Sequence, residues 1–409
     1  MKRKAILIIT WIWLSVLAVT GLLAPILSTD KPWVVKHNDK WLFPAFSNAH
    51  AEIVLPKESL ATAWKLKPFE FSIWPPCTYR PGNTDWMNIS VSPLDKQFFM
   101  NPYNEIVEIP IKYRHWLGTN HKGEDVLAAV IYGCRHSLAV GLFSMILAGV
   151  IGVLLGMIAG YYQNHGIQVS LGSLTGGLTG IVPALFYGFV RPSLILPDDS
   201  EKEANAWLMT AFISLLIFCG LLAIFVLFGK WMGKKIPVLN KNISIPADAI
   251  ITRITEWMNA MPKLFLILIL AGLFNKTAIG LVLILGFIQW TGIARIVRAE
   301  TLSLRQTTWT ESAISLGLPG LRIVIRHLLP HILPSFMVVF ILGIASSIMA
   351  ESSLSFLDAG IPDNWISWGT LSGNGKRHLE NWWLLAVPGT LLLFTLLGLS
   401  VLADHYRRK

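Results

Sequence analysis

Long apolar runs recur along the chain and leave few folds open to it. Residues 5–27, 208–228, 278–293, 332–349 and 382–402 are each nearly free of charge, and at 1.5 Å per residue such runs reach across most or all of a hydrocarbon layer about 30 Å thick. A soluble core cannot bury so many without polar faces. With 53% hydrophobic and 14% charged residues, the chain reads as an all-α polytopic membrane protein.

The net charge is +10, but its placement argues against nucleic acid as a partner and for the lipid bilayer. The bases sit at the ends of apolar runs: Lys2, Arg3 and Lys4, then Lys230, Lys234 and Lys235, then Arg295 through Arg326, and last Arg407, Arg408 and Lys409. Bases that collect on one side mark that side as cytoplasmic. Both termini are therefore expected in the cytoplasm, and residues 28–125 outside. The first apolar run is longer than a cleaved signal core and lacks a clear small-x-small site; it is expected to remain as a helix.

The expected organisation is a first transmembrane helix, 1–27, then an extracytoplasmic Trp- and Pro-rich segment, 28–125. A transmembrane helix, 126–162, follows, then an inserted two-helix segment, 163–247, and a final part, 248–409. Within the insertion, 171–190 and 208–228 are the expected spans, joined by an acidic stretch from Pro197 to Glu201. In the last part Ile250, Ile254, Trp257, Met258 and Met261 recur at helical spacing and predict an amphipathic helix leading into a short run, 264–274.

Between the spans 278–293 and 332–349 lies a polar, basic loop, 298–334. Residues 308–318 hold a single Gly before Pro319 and predict a helix of about three turns, roughly 16 Å long, ended by Gly317-Leu318-Pro319. Such a helix can seat on a soluble partner and pass that partner's motion to the flanking spans, or rest on lipid headgroups.

Four stretches, in order, resemble the permease subunits of dipeptide/oligopeptide ABC importers, in particular the C-type subunit. Glu311, Ser312 and Ala313, then Gly317, and then Arg326, His327, Leu328, Leu329 and Pro330 match the E-A-A-x-x-x-G loop with its R-H-I-L-P ending, apart from Ser312 and Leu328. Residues 117–138 and 159–162 resemble L-G-T-D-x-x-G-R-D-V with Y-G-A-R-x-S-L and A-G-Y-Y, departing at Asn120 and Glu124. Residues 289–295 resemble G-W-x-G-Y-A-R. Residues 350–360, with Pro362 and Ser367-Trp368-Gly369, resemble A-E-A-S-L-S-F-L-G-L-G and its later P and S-W-G.

The resemblance implies a permease core of six helices, here joined by two inserted ones to make eight, in the bacterial inner membrane. It implies a homologous B-type permease, two ABC ATPases holding ATP and Mg, and an extracytoplasmic substrate-binding protein as partners. It makes 298–334 the ATPase-coupling loop, with Glu311, Ser312, Ala313, Gly317, Arg326, His327 and Pro330 as its residues. Glu351, Ser353, Asp125 and Arg135 are the candidates for lining or gating a pathway; the alternatives are that Glu351 bonds nearby serines and that the turn around Gly118 and Gly123 is structural. Nickel, glutathione or cationic peptides are alternative cargoes, an ion-driven carrier is a different class, and a membrane scaffold that transports nothing is a third.

No catalytic or metal-binding residue is expected in the chain itself. Gly373-Asn374-Gly375-Lys376 lacks the first Gly and the following Ser or Thr of a phosphate-binding loop, and no H-E-x-x-H, C-x-x-C or G-x-S-x-G occurs. His327 and His331 share helical spacing, but Pro330 intervenes and no further ligand is near, so a basic docking surface is the expected role. Cys77, Cys134 and Cys219 suggest no disulfide framework.

Overall fold

The computed structural model describes residues 2–37, 39–46, 64–65, 69–100, 105–164, 166–190, 204–273, 277–360 and 365–408. Helix α1, Lys2–Leu22, is followed by a short α2, Ala24–Leu27, broken off at Leu23 and started by Pro25. Three short strands, β1 Val34–His37, β2 Lys40–Leu42 and β3 Phe71–Ile73, form a sheet ordered β2-β1-β3. Strands β4, Phe98–Met100, and β5, Ile106–Glu108, make a hairpin. Then come α3, Val126–Tyr162, strand β6, Ile167–Ser170, α4, Leu171–Leu185, and α5, Ala204–Lys235. Strand β7, Asn242–Ile245, precedes α6, Ala247–Ala260, and α7, Lys263–Leu273. The last elements are α8, Ala278–Arg305, α9, Thr308–Ser315, α10, Gly320–Ile323, α11, Leu329–Phe356, α12, Trp368–Arg377, and α13, Trp383–Arg407.

Six of these helical stretches are long and apolar enough to cross a membrane, and a seventh span exists if α6 and α7, bent by 87° between Ala260 and Lys263, count as one. The bend falls at Pro262, which cannot continue the hydrogen-bond ladder. Helix α4, with 15 residues, is shorter than a span, and a π turn, Phe186–Val190, carries its path onward. The eight expected spans thus appear as six long helices, one broken pair and one short helix. The stretches from Pro197 to Glu201 and around Pro362 lie outside the described residues, as does Phe274.

The chain divides into two compact units, one of residues Met1–Met157 with Thr255–Lys409, the other Ile158–Ile254. In the first, α11 packs against α8, α12 and α13, and α13 against α1. Val140, Leu281, Leu285, Ile288 and Leu354 form one buried cluster, and Ile341, Ile348, Leu399 and Leu402 another. Inside a membrane, close packing rather than exclusion of water holds such helices together. The water-facing segment is different. There Trp64 and Trp74 are buried with Leu42, Phe69 and Tyr113 around them, and removal of apolar area from water is the stabilising force.

The second unit is a hairpin of α4 and α5 closed by the antiparallel pair of β6 and β7. Gly172 and Gly176 face Gly229 so closely that any side chain at these positions would strike the opposing backbone. Small residues at this spacing let two helices approach and gain dispersion contacts along their length.

Candidate functional site

The loop from α8 to α11 is built around two threonines and a glycine. The Thr307 and Thr310 hydroxyls both donate to the Leu304 carbonyl, at 2.6 and 2.8 Å, and join the Thr307 amide, which donates to the same oxygen at 3.2 Å, in closing the end of α8. Thr310 is fully buried and Ala313 nearly so, and these two pin the inner side of α9. At the other end the Gly317 amide donates to the Ile314 carbonyl at 2.9 Å and the Leu318 amide to the Ala313 carbonyl at 3.3 Å. This paired stop needs a left-handed residue between them, and Gly317 has φ 73°. The helix expected over 308–318 consequently ends at Ser315, because the stop captures the last three residues.

The outer side of the loop carries Glu311 and Ser312, both exposed, with Glu311 in the first turn of α9 where a carboxylate suits the helix dipole. Beside them stand Ile314, Leu316, Leu321 and Ile325, with Leu316 80% exposed. Arg322 and Arg326 are exposed on the same loop, and His327 is half-buried. Neither Glu311 nor Arg326 makes an ion pair among the described residues. Trp309 stacks on His331 with ring centroids 5.3 Å apart and meets His327 at 6.4 Å. His331 Nδ1 lies 2.8 Å from the His327 carbonyl oxygen. The two imidazoles are thus engaged with Trp309 and the backbone. Ile323, Leu328 and Ile332 are fully buried beneath them.

The structure starts the return helix earlier than residue 332. The helical path runs from Gly320 through Phe356, with a π turn, Val324–Leu328, ahead of Pro330. A proline ring clashes with the carbonyl four residues before it in a regular helix, and the wider turn relieves this.

Glu351 and Asp125 are both shielded, at 0% and 2% exposure. Glu351 Oε1 accepts from the Ser355 hydroxyl at 2.9 Å, and Oε2 from Ser137 on α3 at 3.1 Å and from Ser352 at 3.3 Å. The Ser137 oxygen in turn accepts from the Trp368 amide at 3.3 Å. One carboxylate therefore ties α11, α3 and the start of α12. Ser353 takes no part: it is exposed, and its hydroxyl donates to the Met349 carbonyl. Arg135 is exposed on α3.

Asp125 starts α3. Its Oδ1 accepts from the Ala128 amide at 2.6 Å, in the manner of an N-cap, and its Oδ2 lies 2.7 Å from His115 Nδ1. His115 Nε2 reaches Asp85 Oδ2 at 3.3 Å, and Tyr79 stacks on the imidazole with centroids 3.9 Å apart. Burial works against a charged imidazole, but hydrogen bonds to Asp125 and Asp85 prevail and raise the His115 pKa. Asp85 shows the mirror case: burial raises its pKa, and bonds from His115 and Asn88 more than offset this and lower it. Lys65 Nζ lies 3.1 Å from the Tyr79 ring centre, and burial brings its pKa down to about 7. His115, Asp85 and Lys65 belong to no motif read in the sequence; only the fold brings them to Asp125.

Comparison with known proteins places these features. Residues 226–409 match the family described as binding-protein-dependent transport system inner membrane component. The oligopeptide transport system permease protein OppC of Haemophilus influenzae is 34% identical over 39% of this chain and 52% of its own length. The probable D,D-dipeptide transport system permease protein DdpC of Escherichia coli is 24% identical over 73% of this chain and 74% of its own. The glutathione transport system permease protein GsiD of Pectobacterium atrosepticum is 26% identical over 75% and 76%. The chain spans about half the length of the OppC proteins it matches. The likeness to this family is carried by residues 226–409, which include the loop from α8 to α11 and Glu351 but not Asp125 or Arg135.

Proposed function

We propose that the chain is the transmembrane permease subunit of an ATP-driven importer that moves di- or oligopeptides into the cytoplasm. The observation that carries this reading is the 308–318 loop. It is a short helix pinned on its inner side by Thr310 and Ala313, stopped at Gly317, and bare on its outer side at Glu311, Ile314 and Leu316. A helix so held is rigid toward its own spans and open toward a partner. An apolar centre rimmed by charge is what a protein docking surface needs.

In this account Glu311, Ser312, Ala313, Gly317, Arg326, His327 and Pro330 form the coupling loop. Two ABC ATPases grip the loop and supply ATP and Mg, while this chain itself catalyses nothing. A homologous B-type permease completes the pathway, and an extracytoplasmic binding protein delivers cargo. Both chain termini lie in the cytoplasm. Closure of the ATPases tilts α8 and α11 through α9 and exchanges outward for inward access. Asp125, Arg135, Glu351 and Ser353 remain the candidates for shaping the pathway, and the two buried acids do so by holding helices. The peptide cargo is supported by relatives named for oligopeptide, D,D-dipeptide and glutathione transport.

Proteoliposomes that hold the chain with its partner subunits test this reading. Uptake of a labelled tripeptide should require ATP inside the ATPase-facing compartment and the loaded binding protein outside, and should survive ionophores. Uptake that continues without ATP and collapses with ionophores would make the protein an ion-driven carrier instead.

A further inference from the structure

The inserted hairpin of α4 and α5 gathers bases at one end. From Ala204 to Ala247 the sequence holds no Asp or Glu, and its bases there are Lys230, Lys234, Lys235 and Lys241. The first three lie in the last two turns of α5, a helix whose residues Leu216–Lys235 are long and apolar enough to cross a membrane. The lysines begin where the uninterrupted apolar run of that span ends, at Phe228.

The fold brings the fourth lysine to the same end. After α5 a 3-10 turn, Pro237–Asn240, folds back on the helix, so that a Cβ at Gly233 would lie 3.1 Å from the Leu239 carbonyl oxygen. The Lys241 carbonyl then accepts from the Leu171 amide at 2.9 Å, at the start of α4. All four lysines are exposed. Lys235 Nζ sits 4.1 Å from the Trp231 ring centre, and Lys230, Lys234 and Lys241 make no hydrogen bond or ion pair among the described residues.

Apolar side chains are interleaved with these charges. Trp231 stacks on Phe228 with centroids 5.9 Å apart, and Val238, on the turn beyond the helix, is 72% exposed. Ile224, Leu227, Phe228 and Trp231 are all exposed and recur at helical spacing, so one bare apolar stripe runs along α5 up to Lys235. The boundary between headgroups and acyl chains accepts both kinds of side chain, with aromatic rings and lysine stems in the apolar part and ammonium groups among the phosphates. A soluble acidic partner can answer the lysines but offers nothing to the stripe.

We propose that Lys230, Lys234, Lys235 and Lys241 bind the phosphate of an anionic phospholipid at the end of the inserted hairpin, in the leaflet that their charge marks as cytoplasmic. The stripe from Ile224 to Trp231 takes an acyl chain. A zwitterionic headgroup would bring an ammonium of its own against four lysines with no acid among them, so the surface selects lipids of net negative charge. This holds whether or not the chain moves peptides.

Native mass spectrometry of the purified full-length chain, mixed in detergent with equal amounts of dioleoylphosphatidylglycerol and dioleoylphosphatidylcholine, tests the proposal. Wild type should retain phosphatidylglycerol over phosphatidylcholine, and the preference should fall roughly tenfold when Lys230→Gln, Lys234→Gln and Lys235→Gln are combined. The matched arginine variant, Lys230→Arg with Lys234→Arg and Lys235→Arg, should keep it, as should Lys122→Gln at an exposed lysine of the water-facing segment. In wild type the preference should weaken as ammonium acetate is raised, a readout that needs no variant to fold. Inorganic phosphate, which has no acyl chain, should not displace the lipid. Equal retention of the two lipids by wild type, a preference indifferent to salt, or displacement by inorganic phosphate overturns the proposal. An undiminished preference in the glutamine variant also overturns it, and if ATPase subunits then fail to co-purify, the lysines belong to a soluble partner instead.

Discussion

The Ser137 hydroxyl donates to Glu351 Oε2 at 3.1 Å, joining α3 to α11 across 214 positions of sequence. With Ser352 and Ser355 on the same carboxylate, this bond makes α3, α11 and the start of α12 a unit that moves together.

Removal of that carboxylate strands several hydroxyls out of water. Glu351→Ala is expected to lower the stability of the purified chain by about 1–3 kcal/mol. Glu351→Gln, whose amide both donates and accepts to rotatable hydroxyls, should cost less. Thermal unfolding in detergent reads the difference, and equal melting of the two variants would contradict the clasp.

The Asp85–His115–Asp125 bridge gives the water-facing segment a pH dependence of defined sign. The folded pKa of His115 is raised above its ordinary value of about 6.5. Its contribution to stability is therefore fully present below pH 6.5 and is lost as the pH rises through the folded value. Asp85, whose pKa is lowered, contributes above its ordinary value of about 3.8 and loses this as the pH falls through the folded one. Lys65 acts in the opposite direction to His115. Its pKa of about 7 lies below that of a free lysine, so its buried charge costs stability at low pH and the cost is relieved as the pH rises from 7. The clean observable is a difference. The stability gap between wild type and His115→Gln should be widest near pH 6 and narrow toward pH 9; a gap independent of pH would mean that His115 is not charged in the folded state.

Gly317 has φ 73° with no atom near its missing side chain, so the cost of replacing it is purely one of backbone conformation. Gly317→Ala is expected to cost about 1 kcal/mol and to raise amide hydrogen exchange in residues 308–318 without a change in membrane insertion. Unchanged exchange would show that the stop does not hold α9.

These sites differ in how far residue order alone exposes them. That α9 would be stopped near Gly317 was readable because Gly317 and Pro319 act within one turn, though its last residue was not, and the break between α6 and α7 was readable because Pro262 removes a local donor. Local chemistry misjudged two boundaries. Helix α9 stops at Ser315 rather than 318, since the left-handed stop begins before the glycine. The return helix starts at Gly320 rather than 332, since a π turn absorbs Pro330. Glu351 was recognisable from its motif, and of the two nearby serines expected to bond it, Ser352 does and Ser353 does not. The bond to Ser137 depends on the packing of α3 against α11, and no periodicity encodes it. His115 was invisible for the same reason: Asp125 is 10 positions away and Asp85 is 30, and only closure of the loop joins them.

The central claim is that force enters through the outer face of α9. ATP turnover of the assembled complex, measured with and without loaded binding protein, tests it in Glu311→Lys and Leu316→Asp. Both residues are exposed, so neither change should disturb folding. The account predicts that stimulation by the loaded binding protein is lost in both variants while the subunits remain inserted. Stimulation equal to wild type in both would contradict it.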